Sequence, residues 1–360
     1  MDRGERHFAS DARYDLQNVT AGFASRLEDQ SADAALMERI CRYYIKAMER
    51  EQCAPKAYRA TGWWEQQRRG NLEPIIQVLT TGDIAAVRGM YRNFYRDPCS
   101  AGLIALQSLS KDYFGETIKD FHRRLYLIDS LYRVDYWKAR TGGRFTLNDL
   151  SGPPIGNPFG VLMDGVLVRA RAEYQHYCAD RINGLLGSRK GIVVEIGGGF
   201  GGTAYYLLRD RPGLKYIDFD VPESIALTAY YLLKAFPHLR FLLYGEEELT
   251  AEAISRADVV LMPVSELPGM PPARADITFS SHAMSDLSSE AMTEYLNIIA
   301  GITSNYFLYI GNGSGGKAIS DLVERQYRSL KLVETRTSGW HHHRFPDIKE
   351  VESLYRIGGN

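Results

Sequence analysis

The chain has 360 residues, enough for two domains or for one large domain with an added helical part. Its 43 basic and 44 acidic side chains leave a formal net charge of −1, so no global field draws it to nucleic acid or to an anionic membrane. The apolar share of 45% suits a globular core, and no run reaches the roughly 18 apolar residues of a membrane helix.

The charged start, Met1 to His7, lacks the apolar core of a signal peptide. Cys41, Cys53, Cys99 and Cys178 are scattered without metal-like spacing and read as reduced thiols, so the cytoplasm is the expected compartment. Residues 1–30 are polar and aperiodic, a loose arm or a marginal helix. From Asp33 a helical stripe begins, with Leu36, Ile40, Tyr44 and Met48 every four residues. Further helices are expected over Glu73–Leu79, from Ile84 to about Tyr95, and from about Thr117 to Lys138. Asp97-Pro98 stops the second of these, because proline disfavours helix in the residue before it. Residues 1–150 therefore read as a helical domain whose aromatics, Trp63-Trp64 among them, form core, a substrate cap or a dimer face.

Residues 142–160 are dense in Gly, Pro and Asn and mark a boundary. Residues 151–188 read as a linker and a connecting helix, and the Gly156-Asn157-Pro158 corner reads as an interdomain turn, with contact to a ligand as its alternative. From residue 189 to 360 strands and helices alternate. Strands are expected at Ile192–Ile196, Leu214–Asp220, Arg240–Tyr244, Val259–Val264, Ala275–Ser281 and Tyr306–Ile310, with a last pair at Leu330–Glu334 and Glu352–Ile357. Alternation of this kind predicts an α/β fold, a Rossmann-like, doubly wound and mostly parallel sheet of six or seven strands behind an all-helical amino-terminal domain.

The chemistry concentrates at Gly191 to Leu208. A β-branched run is followed by five glycines within six residues and then by a helical stretch. Strand, glycine turn and helix in that order make a ligand crevice at the carboxyl end of a sheet. Two fingerprints fit at once. Gly197, Gly199 and Gly202 match the dinucleotide pattern, with Asp220 near the distance of a ribose-binding acid. Glu195, Gly197, Gly199 and Gly201 equally match the first motif of the S-adenosyl-L-methionine (SAM) methyltransferases. Glu195 separates the two, because a carboxylate inside an apolar strand is costly unless it is paired. A cationic cofactor such as SAM has a use for it, whereas a nicotinamide dinucleotide has none.

At Gly156-Asn-Pro-Phe-Gly160, Glu195-Ile-Gly-Gly-Gly-Phe-Gly-Gly202, Tyr216-Ile-Asp-Phe-Asp-Val-Pro-Glu223 and Ala229-Tyr-Tyr-Leu-Leu-Lys-Ala-Phe-Pro237, the chain resembles the sugar O-methyltransferases of bacterial secondary metabolism and glycan decoration. The resemblance covers about residues 70–310. It implies that Gly197, Gly199 and Gly201 let backbone approach the methionine part of SAM. Glu195 would support the motif or bind the cofactor's amino group, and Asp220 would accept from the ribose hydroxyls. Asp218 competes for that role, and only one of the two acids is expected to face the cofactor. Ser265 and Glu266 sit by position where such folds contact adenine.

A sugar hydroxyl is weakly acidic, so its methylation calls for a general base. His282, just after the strand ending at Ser281, is the first candidate, by analogy with O-methyltransferases that carry a histidine in that region. Asp286 is expected to orient it or to replace it. His341, His342 and His343 offer a further base or a partial metal site, although three consecutive histidines cannot converge. The strand ending at Ile310 runs into Gly-Asn-Gly-Ser rather than paired aspartates, so no metal is expected. The expected activity is SAM-dependent methylation of a hydroxyl on a sugar or glycosylated small molecule, by a chain that binds neither nucleic acid nor membrane and is a candidate homodimer. An NAD-dependent oxidoreductase or sugar epimerase, and a non-catalytic SAM-binding scaffold, remain the rivals.

Overall fold

The computed structural model describes residues 1–27, 33–60, 62–104, 119–272, 275–285, 287–327, 329–343, 346–347 and 349–358, without the side chain of Trp63. A small antiparallel hairpin, β1 (Gly160–Met163) and β2 (Val166–Arg169), precedes the helix Ala172–Leu186. The main sheet then takes β3 (Ile192–Ile196), β4 (Lys215–Asp220), β5 (Phe241–Leu243), β6 (Val259–Pro263), β7 (Ala275–Ser281), β8 (Thr303–Asn312), β9 (Leu330–Thr337) and β10 (Glu350–Ile357). Their spatial order is β5-β6-β4-β3-β7-β8-β10-β9. The short edge strand β5 and the terminal pair bring the sheet to eight strands, beyond the six or seven expected.

Every pairing from β5 to β8 is parallel, and β10 runs antiparallel to both β8 and β9. Val193 joins one buried cluster, while Val194 and Ile196 join the other on the opposite face. Burial on both faces is why these strands read as near-continuous apolar runs. From β3 the chain moves outward through β4, then returns to add β7 on β3's other side. That reversal opens a crevice at the carboxyl ends of β3 and β7.

The amino-terminal part is helical and packs onto this sheet layer. The helix Ala34–Cys53 lies along the helix Pro222–Ala235. Tyr58 stacks on Tyr295 with ring centroids 5.5 Å apart. Arg50 pairs with Glu266 at 2.5 Å, and Arg68 bridges Glu51, at 2.7 Å, and Glu223. Two short helices, Asp2–Phe8 and Leu16–Gly22, occupy much of the stretch expected as a loose arm or marginal helix. They are held because Phe8 and Val19 are buried and Arg13 pairs with Asp135 at 2.6 Å. The long helix runs Asp120–Arg140, and the first residues expected in it lie outside the described residues. Among the described residues no helix is long and apolar enough to cross a membrane.

Candidate active site

The strand β3 delivers the chain to the glycine turn, and the helix Gly202–Asp210 carries it away. Gly197, Gly199 and Gly201 all have left-handed backbones, with φ of 83°, 67° and 84°. Side chains other than glycine rarely adopt that region. The end of β4 holds the turn. The Gly197 amide donates to Phe219 O at 2.9 Å, the Gly198 amide to Asp218 Oδ1 at 3.1 Å, and the Gly199 amide to Asp220 Oδ2 at 2.8 Å. A Cβ on Gly198 would collide with the Asp218 carboxylate, so this glycine is required by protein packing.

Only one of Asp218 and Asp220 is expected to face the cofactor, yet both lie on the same side of β4 and reach the glycine turn. Residues two apart on a strand share a face, and both carboxylates bond its amides. Asp220 Oδ1 also accepts from the Val221 amide at 2.7 Å, so the backbone already engages both of its oxygens. Each oxygen keeps further acceptor capacity.

Glu195 is buried in β3 and accepts from the Tyr216 hydroxyl at 2.6 Å. Burial lifts its pKa to about 7, Tyr216 opposes the rise, and the charge of Asp220 adds to it. Asp220 is likewise lifted to about 7 by burial, against the Gly199 and Val221 amides. Fully buried Asp218 is pushed well above the usual carboxylate range by burial and by the charges of Asp220 and Glu195. Among the described residues no Lys, Arg or His stands within ion-pair distance of these three acids. Asp218 Oδ2, Tyr43 Oη, Ser224 Oγ and Ser265 Oγ are buried without hydrogen-bond partners on the elements that converge here. Ser265 lies in the short 3₁₀ helix Val264–Gly269 beyond β6, beside the end of β4, and Glu266 is taken by Arg50.

His282 follows β7 directly in a left-handed conformation, φ 65°, and its amide donates to Ile310 O at 2.7 Å. Its neighbour Ala283 packs directly on Gly197, which brings this corner against the glycine turn. The imidazole Nε2 lies 2.9 Å from Glu350 Oε1. Glu350 Oε2 in turn accepts from Ser338 Oγ at 2.9 Å. Burial alone would raise the Glu350 carboxyl, but His282 and Ser338 hold it below its ordinary value. The His282 side chain remains 41% exposed, whereas the Glu350 carboxylate is buried beneath it. Glu350 escaped the sequence reading because β10 was expected to begin two residues later, with no direction assigned. Only an antiparallel β10 puts its first residue at the carboxyl ends of the parallel strands. Asp286, the expected partner of His282, lies outside the described residues.

The three loop histidines diverge. His343 Nε2 reaches Asp129 Oδ1 at 2.6 Å, and its ring stacks on Tyr132. His341 is pushed down to about 4 by burial and by the nearby charge of Arg133. Among the described residues no cluster of three His, Cys, Asp or Glu side chains is arranged to hold a metal ion. The Gly156-Asn157-Pro158 corner is an internal clamp. Asn157 Oδ1 accepts from the Arg26 amide at 2.6 Å, and Asn157 Nδ2 donates to Asn93 Oδ1 at 2.8 Å.

No protein-family model matches the chain, and no curated protein matches it. Among solved structures it is similar to the pyocyanin biosynthetic protein PhzM, at 11% identity and a TM-score of 0.35, over 82% of this chain and 71% of that one. It is similar to a TehB-like SAM-dependent methyltransferase from Corynebacterium glutamicum, at 16% identity and a TM-score of 0.35, over 50% of this chain and 87% of that one. It is also similar to a geranyl diphosphate methyltransferase in complex with SAM, at 12% identity and a TM-score of 0.34, over 51% of this chain and 85% of that one. Likeness at this level assigns no activity to this chain.

Proposed function

We propose that the chain is a SAM-dependent O-methyltransferase acting on a hydroxyl of a sugar or glycosylated small molecule. One observation carries the reading: Glu195, Asp218 and Asp220 crowd the glycine turn, and among the described residues no Lys, Arg or His pairs with them. Buried like charges raise one another's pKa values, and a bound cation relieves that repulsion. SAM carries a sulfonium and an ammonium, and the unpartnered Asp218 Oδ2, Tyr43 Oη and Ser265 Oγ suit a polar ligand there. Glu195, Asp218 and Asp220 would hold the cofactor with the glycine turn, and Ser265 would meet its base. When bound, SAM supplies an electrophilic methyl group.

The chain's own part is positioning and proton removal. With Nε2 directed at Glu350, His282 keeps Nδ1 for the proton of the acceptor hydroxyl. Glu350, whose Oε1 lies 2.9 Å from Nε2, would hold the ring in place for that role. The sugar class rests on the resemblance of the motifs.

The dinucleotide reading is disfavoured by the sheet itself. The usual dinucleotide order has its sixth strand next to the fifth in a parallel sheet, whereas here antiparallel β10 separates β8 from β9. Calorimetry with SAM and with NADH tests the proposal, and binding of NADH without SAM would refute it. A tight SAM complex that methylates nothing across a panel of sugars would favour the scaffold.

A further inference from the structure

Arg171 stands between the glycine turn and the His282–Glu350 pair. It precedes the helix Ala172–Leu186 with a left-handed backbone, φ 67°, a strained conformation of the kind that clusters at ligand sites. On one side its Nη1 donates to Leu103 O at 2.7 Å, and Leu103 Cδ2 lies 3.5 Å from where a Cβ on Gly199 would stand. On the other side Tyr174 sets its ring 6.1 Å from that of His282 and bonds Ser281 Oγ at 2.6 Å.

Among the described residues this arginine has no ion-pair partner, and the nearby charges are of both signs. Arg133 lies 5.7 Å over the Trp340 ring, with Glu173 at 3.8 Å as its acidic partner. Glu350 lies 2.9 Å from His282 Nε2 and accepts from Ser338 Oγ. No carboxylate stands within ion-pair distance of Arg171 among the described residues; burial together with Arg133 lowers its pKa, and the more distant charge of Glu350 only partly opposes this. A desolvated cation beside a second cation is unfavourable unless an anion joins them.

We propose that Arg171, backed by Arg133, binds an oxyanion of the methyl acceptor, a phosphoryl or carboxylate group that holds the acceptor hydroxyl between the glycine turn and His282. The planar guanidinium fork suits either group. The proposal rests on the methyl-transfer reading for the identity of the ligand as acceptor, while the anion site itself can be measured without it.

The test is calorimetry on the full chain with inorganic phosphate, glucose 1-phosphate, glucuronate and methyl glucoside, at matched chloride. At least one anion is expected to bind ten times more tightly than methyl glucoside. Arg171→Gln should remove that margin, and Arg171→Lys should keep part of it. Glucose 1-phosphate alone would mark a phosphoryl acceptor, and glucuronate alone a carboxylate. Should Arg171→Gln not fold by circular dichroism, Arg171→Met is read by the same criterion. No anion binding above the chloride control, or an undiminished margin without Arg171, overturns the proposal. SAM affinity is measured separately and should stay within threefold in Arg171→Gln. Loss of SAM binding by the wild type would sink the methyl-transfer reading and leave the anion result standing.

Discussion

His282 just after β7 and Glu350 at the start of β10 meet at 2.9 Å, although β8 lies between those strands. The contact forms because His282 turns through a left-handed corner and Glu350 enters β10 against the direction of β8. A buried carboxylate on an exposed imidazole at the mouth of a crevice is suited to orienting a base. Replacing His282 by alanine should lower kcat by on the order of 10²–10⁴-fold. Glu350→Gln should lower kcat by about tenfold or more while KM for SAM stays within twofold. Partial recovery in Glu350→Asp would mark Glu350 as a positioning residue. Unchanged kcat in both His282 and Glu350 variants would move the base elsewhere.

The acid cluster makes cofactor binding depend on pH. Glu195 and Asp220 have folded-state pKa values lifted to about 7, above their ordinary carboxylate values. The folded chain therefore holds more protons than the unfolded one, and these groups stabilise it most at low pH. That contribution fades as pH rises from about 4 through 7. A cationic ligand reverses the preference by favouring the ionised acids. SAM affinity should rise between pH 6 and 8, with proton release visible in calorimetry in buffers of different ionisation enthalpy. A flat profile would remove both acids from the cofactor site.

Two adjacent glycines should behave differently. An alanine at Gly198 would collide with the Asp218 carboxylate, so Gly198→Ala should lose SAM binding and about 1–3 kcal/mol of stability. Gly199 has Leu103 as its nearest neighbour at 3.5 Å, and its cost is set by the left-handed φ of 67°, about 1 kcal/mol. Urea denaturation and a SAM titration on both variants separate packing from strain.

Arg169 offers a test far from the chemistry. It is buried at the end of β2, where it donates to the hydroxyls of Tyr231 at 2.8 Å, Tyr95 at 3.1 Å and Tyr206 at 3.3 Å. Arg169→Met should destabilise the fold by about 1.5–3 kcal/mol, since it strands hydroxyls that now meet a charge. An unchanged urea midpoint would show that these hydrogen bonds contribute no net stability.

Local pattern carried much of the sheet. A β-branched run marked β3 and an apolar run marked β6, because both faces of these strands are buried, and the proline at Pro222 marked the start of the helix that follows β4. The first residues were harder to read. Their helices are short and polar, and they are held by distant partners such as Asp135. The same limit left Asp218 only a competitor of Asp220, since its bond to the turn depends on the Gly198 amide folding back onto β4.

The sequence by itself determined the strand, glycine turn and helix at Gly191–Asp210 and the acid Glu195 within it, together with Asp220 at the end of the next strand. Those features follow from backbone sterics and from the cost of a buried charge, which act over a few residues. The tertiary structure alone decided that Glu350 meets His282, that Asp218 joins Asp220 at the turn, and that Arg171 stands between the two halves of the cleft. Each depends on strand order and direction, set by how distant apolar faces pack together, and no local period encodes them.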